Sequence, residues 1–204
     1  MVVAIFVFMT ALVVANYGSF NDGTLLTSMS YDISLALADA QSYGINTEGV
    51  STSTTAQGFN YPYGMDFNIG TPSQMMLFAD SYPTSPDGVC DNGSAGTCTS
   101  NQTTGDNIIT TYTLARGGLI KCLFVGNTPP PTTSNPCPTG SNTNIIDVTF
   151  KRPDPNAIIM AVSPIVSGTL QKWAYAVIQV EDASKTATRS IVVNETGEIA
   201  VQNQ

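Results

Sequence analysis

Residues 1–15, MVVAIFVFMTALVVA, carry no charged side chain, and Thr10 is their single polar residue. As a helix they cover roughly 22 Å, whereas the hydrocarbon core of a bilayer is about 30 Å thick and needs about 20 residues. The stretch therefore indicates either an incomplete membrane span or a span that begins upstream of Met1. A secretory signal peptide cleaved after Ala15 is the alternative, although no Lys or Arg precedes Arg116 to form its basic region.

A second helical pattern follows in residues 24–44, TLLTSMSYDISLALADAQSYG. Its apolar residues recur at steps of three and four, which is typical of a helix that buries one face on a domain. Two further apolar side chains, Tyr31 and Leu35, project from the polar side. They indicate contact with neighbouring helices in an assembly, or else the scattered apolarity common on protein surfaces. The residues expected to pack the helix on the sheet are Leu26, Met29, Ile33 and Leu37.

Two glycines, Gly18 and Gly23, separate the apolar and amphipathic patterns. Each costs about 1 kcal/mol relative to Ala in a helix interior. We therefore expect the helix to bend, fray or unwind between them.

The remaining residues, 45–204, predict one globular domain of short strands, because Ser, Thr, Asn, Gly and Pro are frequent and charged residues make up only 11% of the chain. Alternation predicts a hairpin of 58–67 with 74–80, a pair of strands, 108–115 and 119–125, flanking Gly117-Gly118, and a last hairpin around 194–197. The expected fold class is α+β. A long N-terminal helix, residues 1–44, packs on a C-terminal antiparallel β-sheet or sandwich of seven or eight strands.

The four cysteines are Cys90, Cys98, Cys122 and Cys137, and the chain has no histidine. Their spacing lacks the C-x2-C pair of a zinc site, so two disulfides formed in an oxidising compartment are predicted. Pairing Cys90 with Cys98 and Cys122 with Cys137 is preferred because each pair closes a short loop. All three connectivities remain open at this stage.

The sequence contains little that indicates chemistry. Without histidine there is no Ser-His-Asp triad or Cys-His pair, so we expect no catalytic residues and no enzyme. Asp80, Asp87 and Asp91 lie in an oxygen-rich stretch that is a candidate calcium loop, but their spacing is not that of an EF-hand and a solvated loop is the favoured interpretation. No other cofactor is expected. A net charge of −8 disfavours nucleic acid as a partner.

Three stretches, MVVAIFVFMTALVVA, ALADAQSYGIN and RSIVVNETGEIAVQ, resemble the type IV pilin and type II secretion pseudopilin superfamily, more closely its pseudopilin H-like branch. In that family a basic leader, a glycine and Phe-Thr-Leu-x-Glu stand directly before the apolar run. Met1 corresponds to a position just after the family's glutamate. The resemblance therefore implies a true N-terminus, with its processing and methylation, upstream of Met1.

The resemblance implies a structural subunit of a pilus-like or pseudopilus filament at the cell surface. The N-terminal helix would hold the subunit in the membrane and, through an inner-membrane assembly platform, join other pilin-like subunits in an extracellular or periplasmic filament. Two alternatives are a secreted β-sandwich adhesin or binding module and a membrane-tethered surface protein. The residues expected in the membrane and then in the filament core are Val2, Val3, Ile5, Phe6, Phe8, Leu12 and Val13.

Overall fold

The computed structural model describes residues 2–46, 49–52, 55–58, 61–81, 86–91, 98, 105–128, 137, 142–162, 169–185 and 187–203. Side-chain environments are described in all of these except 13–21, 50–58, 162 and 203.

The chain begins with helix α1, Val2–Ile45. Its second part packs on the rest of the molecule, with Leu26, Met29, Ile33 and Leu37 no more than 3% exposed. The spacing of these residues follows the 3.6-residue period of a helix with one buried face. Helix α1 is held at its end by the backbone, where the Arg152 N–H donates to the Gly44 carbonyl at 3.1 Å.

Two antiparallel sheets make up most of the molecule. The larger has the order β5-β4-β3-β7-β8-β9 and the smaller the order β12-β11-β10-β6, while β1 and β2 form a separate hairpin. The strands are β1 Val50–Thr52, β2 Thr55–Gly58, β3 Tyr63–Asn68, β4 Gln74–Ala79, β5 Asn107–Thr113, β6 Leu119–Gly126, β7 Ile145–Lys151, β8 Asp154–Val162, β9 Leu170–Trp173, β10 Tyr175–Glu181, β11 Thr188–Asn194 and β12 Ile199–Asn203.

One hydrophobic core joins the helix to both sheets. Helix α1 contacts β3 and β7 of the six-stranded sheet and β11 and β12 of the four-stranded sheet. The side chain of Gln41 fixes this position, since its Nε2 donates to the Pro155 carbonyl at 3.0 Å and to the Gly197 carbonyl at 3.3 Å. The helix is therefore tied to a hairpin of each sheet.

The predicted fold class, a long N-terminal helix packed on a C-terminal antiparallel β-sheet or sandwich, is wrong. The molecule is mostly β, with two antiparallel sheets, and the helical residues with described surroundings fall into two short stretches, 2–12 and 22–45. Only the second stretch is buried against the sheets, whereas every residue of 2–12 is exposed. The periodicity predicts which face of the helix is buried, but it does not predict how many sheets pack against that face.

The strands on either side of Gly117-Gly118 belong to different sheets. β5 pairs with β4, and β6 pairs with β10. A short 3-10 helix, Ala115–Gly117, makes the crossing, with Arg116 and Gly117 at positive φ. The glycines therefore serve a crossover between sheets and not a hairpin turn.

The predicted membrane anchor is also wrong. In the part of the chain that the structure describes, no helix combines the length and apolar character needed to cross a membrane. Anchoring by the N-terminal helix and the membrane location that depends on it are therefore unsupported. Polar and charged residues follow the apolar run within the same helix, which lowers the mean hydropathy of the helix as a whole.

Candidate functional site

The first part of helix α1 presents apolar side chains to solvent. Residues 2–12 are exposed throughout, and eight large hydrophobic side chains among them each expose half or more of their surface. Those eight are Val2, Val3, Ile5, Phe6, Val7, Phe8, Met9 and Leu12. At roughly 150 Å² or more for a whole large side chain, they present on the order of 800 Å² of apolar surface. Monomeric proteins rarely leave so large a contiguous apolar surface in water.

This apolar segment, residues 2–12, has no polar side. Ile5, Phe6, Val7, Phe8 and Met9 are consecutive, and successive residues point about 100° apart around a helix. Five of them therefore encircle the axis, and Thr10 turns its hydroxyl inward to donate to the Phe6 and Val7 carbonyls at 3.0 Å. A helix that is apolar all round is normally surrounded by other elements.

A second exposed apolar area lies further along the helix. Tyr31 is 58% and Leu35 62% exposed, which places both outside the core as the sequence indicates. Leu35 lines an open groove of about 290 Å³ between helix α1 and the ends of β4 and β5. The groove has a mixed lining of apolar residues and two carboxylates, formed by Met29, Asp32, Leu35, Ala36, Asp39, Met75, Tyr112, Thr113, Leu114 and Ala115.

Side-chain contacts hold both ends of the packed part of helix α1. Tyr43 stacks on Tyr63 of β3, with ring centroids 5.6 Å apart. Near the start of the packed part, the Ser184 hydroxyl donates to Asp22 Oδ2 at 3.0 Å. Gly23 lies within the helix and has open space where a Cβ would stand, whereas the surroundings of Val13 and Gly18 lie outside the described side chains. Both glycines lie within helix α1, and the bend, fraying or unwinding expected between them stays a prediction.

The structure contains two disulfides, Cys90–Cys98 and Cys122–Cys137, the pairs preferred from sequence. Both are buried, with exposures of 1% and 7% for the two cysteines of each pair. The second closes beside the open edge of β6, where Asn142 Oδ1 accepts from the Val125 N–H and Asn142 Nδ2 donates to the Val125 carbonyl, both at 2.9 Å. A side-chain amide thus pairs with an edge strand as a neighbouring strand would.

The candidate calcium residues have other roles in the structure. Asp80 is fully buried and its Oδ2 accepts from the Gly88 N–H at 2.7 Å. Exposed Asp87 accepts from the Val89 N–H at 3.1 Å through Oδ1, and Asp91 is 8% exposed. Across the described ranges, no three His, Cys, Asp or Glu side chains are grouped as metal ligands. The calcium-loop interpretation therefore gains no support from the described residues.

Buried carboxyl groups on the outer face of the six-stranded sheet are the feature that sequence reasoning missed. Asp66 of β3 and Asp147 of β7 are directly paired across the strands and are each 1% exposed. Burial raises the pKa of Asp66 to about 7, and its hydrogen bond with Asp147 partly offsets this rise. Burial and then the charge of Asp66 raise the pKa of Asp147 well above its usual range. Strand alternation predicts which face of the sheet each residue occupies, but only the pairing register of β3 with β7 makes the two residues neighbours.

No protein-family model, curated protein or solved structure matches the chain. The resemblance to the pilin and pseudopilin superfamily therefore stays a prediction.

Proposed function

We propose that the protein is a structural subunit that assembles with further copies of itself, or with similar chains, into a filament whose core contains the apolar segment 2–12. The exposed apolar surface of that segment is the observation that carries the proposal. Its estimated area, on the order of 800 Å², equals what one partner contributes to a stable interface of standard size.

The burial energy is large enough to drive assembly. At about 25 cal/mol per Å², removing this surface from water is worth roughly 20 kcal/mol per chain before costs. Lost translational and rotational freedom costs an estimated 4–15 kcal/mol. Because the segment carries no charged group, its burial adds no desolvation penalty of an ion. The estimated burial free energy exceeds the cost of association, so packing of the segments into a helical core is favoured.

The distribution of the apolar residues favours several neighbours over one. A two-fold dimer of helices would cover one side of each segment, whereas residues 5–9 present apolar side chains in every direction. Covering all sides requires each segment to be surrounded by others, as in a bundle or the core of a filament. Heterologous contacts that do not close into a ring extend into such a filament.

The second apolar area supplies a contact outside this core. Leu35 and Tyr31 lie on the same helix as the apolar segment, so copies packed through residues 2–12 would bring neighbouring domains close to them. The net charge of −8 opposes contact between arbitrary faces of two copies. The uncharged segment and this apolar area are therefore the preferred contact surfaces.

The test compares the full chain with a Phe6→Asp/Phe8→Asp variant and a control, Ile109→Asp, which places one such charge at an exposed apolar residue outside the segment, on β5. We expect regular filaments or a defined oligomer of the wild type and the control by electron microscopy and sedimentation velocity, and monomers of the double variant. Amorphous aggregates without regular structure, or a double variant that assembles like the wild type, would contradict the proposal. A monodisperse wild-type monomer would favour the secreted binding module.

A further inference from the structure

The segment 86–91 and its disulfide cover the buried carboxyl groups on the outer face of the six-stranded sheet. Gly88, at positive φ, lies against Ile158 and Met160 of β8. A Cβ placed on the glycine would lie 3.2 Å from a side-chain carbon of each residue. Cys90 and Cys98 pack with Phe78 of β4 in a small apolar cluster. We call this arrangement the disulfide cover, comprising residues 86–91 and Cys98.

Carboxyl groups hold the disulfide cover through its backbone N–H groups. Asp80 accepts from Gly88 at 2.7 Å, and Asp106 Oδ2 accepts from the Asp91 N–H at 3.0 Å. Asp147 accepts from the backbone of Cys90. Three successive parts of the cover are thus bonded to carboxyl groups of the sheet and its flanking residues.

Three oxygens in this cluster have no hydrogen-bond partner among the residues that the structure describes. They are Asp66 Oδ1, Asp80 Oδ1 and Asp147 Oδ1, on side chains that are no more than 1% exposed. An ionised carboxylate buried without full pairing is costly, whereas a carboxylic acid that shares a proton is much less so. The unpartnered oxygens therefore indicate that the cluster binds protons, which lowers the free-energy cost of burying these carboxyl groups.

Among the described residues, the titratable side chains that act on Asp66, Asp80 and Asp147 are all carboxylic acids. The charges of Asp87 in the cover and of Asp106, which precedes β5, act on Asp80, and Asp106 also acts on Asp147. β8 places the apolar residue Met160 opposite Asp147. In the described part of the chain, the groups that act on these three carboxyls are other carboxyls and backbone N–H groups. Loss of protons therefore accumulates negative charge among groups that carry no positive charge.

We propose that the Asp66–Asp147 pair, with Asp80, forms a proton-dependent latch that keeps the disulfide cover closed while the cluster is protonated and releases it on deprotonation. In the closed state one proton bridges the cross-strand pair. Deprotonation leaves adjacent buried anions, which repel each other and gain solvation when the cover lifts. The pKa values of about 7 for Asp66 and about 8 for Asp80 place the change around neutral to mildly alkaline pH.

The two disulfides allow a test within one molecule. Because both pairs have matching exposures, the Cys122–Cys137 bond is an internal control for the Cys90–Cys98 bond. We would treat the full chain with a phosphine reductant at pH 5 and pH 9 and follow each bond by alkylation and mass spectrometry. The ratio of the two rates removes the intrinsic effect of pH on the reagent.

We expect the ratio of Cys90–Cys98 to Cys122–Cys137 reduction to rise at least tenfold from pH 5 to pH 9, because one unit of pKa difference between closed and open states is a tenfold change in opening. In Asp66→Asn and Asp147→Asn, which keep the shape of the acid without its charge, the rise should be at least threefold smaller. The exposed control Asp154→Asn should behave like the wild type. A constant ratio in the wild type, or an equal rise in both cluster variants, would overturn the proposal.

A second measurement does not depend on the variants folding. Carbon-13 NMR of the aspartate carboxyl groups in the wild type should show at least two that titrate near or above neutral pH. If every aspartate titrates below pH 5, the latch does not exist.

Discussion

The matched pair Leu35→Ala and Leu37→Ala tests how helix α1 divides its residues between core and surface. The two leucines lie two positions apart on one helix, yet Leu37 is fully buried and Leu35 is 62% exposed. The two substitutions remove the same atoms and have the same effect on helix propensity. Any difference between them therefore reports the surroundings of the side chain.

Leu37→Ala leaves a cavity in a core that both sheets share. Buried Leu→Ala changes cost about 2–5 kcal/mol, and the upper half of that range applies where the surroundings cannot collapse into the space. Because two hydrogen bonds of Gln41 hold the helix to both sheets, we expect a loss of about 3.5–5 kcal/mol. For Leu35→Ala, on the surface, we expect a change within about 0.5 kcal/mol.

The assay is urea unfolding of both variants and the wild type, monitored by Trp173 fluorescence under conditions that keep the chain monomeric. A lower midpoint at constant slope identifies a loss of stability without a change in the compactness of the folded state. Equal losses for the two variants would refute the description of the helix as having one buried face. If Leu35→Ala weakens assembly while leaving the midpoint unchanged, the contact proposed for the second apolar area is supported.

Three further predictions follow from single contacts. The raised pKa values of Asp66 and Asp80 mean that their contribution to stability is complete below about pH 4 and is lost as pH rises through 7 to 8; we expect urea midpoints to fall between pH 5 and pH 8, and a rise in that interval would contradict the assignment. Gly44→Ala places a Cβ against the Phe150 backbone and should cost about 1–3 kcal/mol in thermal unfolding, unlike Gly23→Ala, which meets open space. Asn142→Ala uncovers the edge of β6 and should cost about 1–2 kcal/mol by urea unfolding; an unchanged midpoint would show that the amide pairing is dispensable.

Local patterns in the sequence were sufficient for several elements. The three- and four-residue spacing of Leu26, Met29, Ile33 and Leu37 predicted the buried face of the helix, and these side chains are buried. The hairpins predicted for 58–67 with 74–80 and around 194–197 correspond to the β3–β4 and β11–β12 hairpins, which the structure contains. In each case the interacting residues are close in the chain, so composition and period carry the information.

The predicted fold class and membrane location failed for different reasons. The predicted fold class, a long helix packed on an antiparallel sheet or sandwich, did not show how the strands divide between two sheets, because sequence alternation does not show that strands flanking Gly117-Gly118 join different partners, β4 and β10. The membrane anchor was inferred from the apolar run of residues 1–15, yet no helix in the described ranges is long and apolar enough to span a bilayer. Apolar character alone does not distinguish burial in lipid from burial against protein.

What the sequence by itself determined is a set of local properties: an uncharged apolar run at residues 2–12, the buried face of an amphipathic helix, tight hairpins, and a preferred pairing of nearby cysteines. Only the tertiary structure decided that two sheets share the helix and that Asp66, far from Asp147 in the chain, lies directly beside it. The physical reason is that pairing of distant strands depends on register and loop closure, which bring together residues whose own neighbours in sequence carry no sign of the contact.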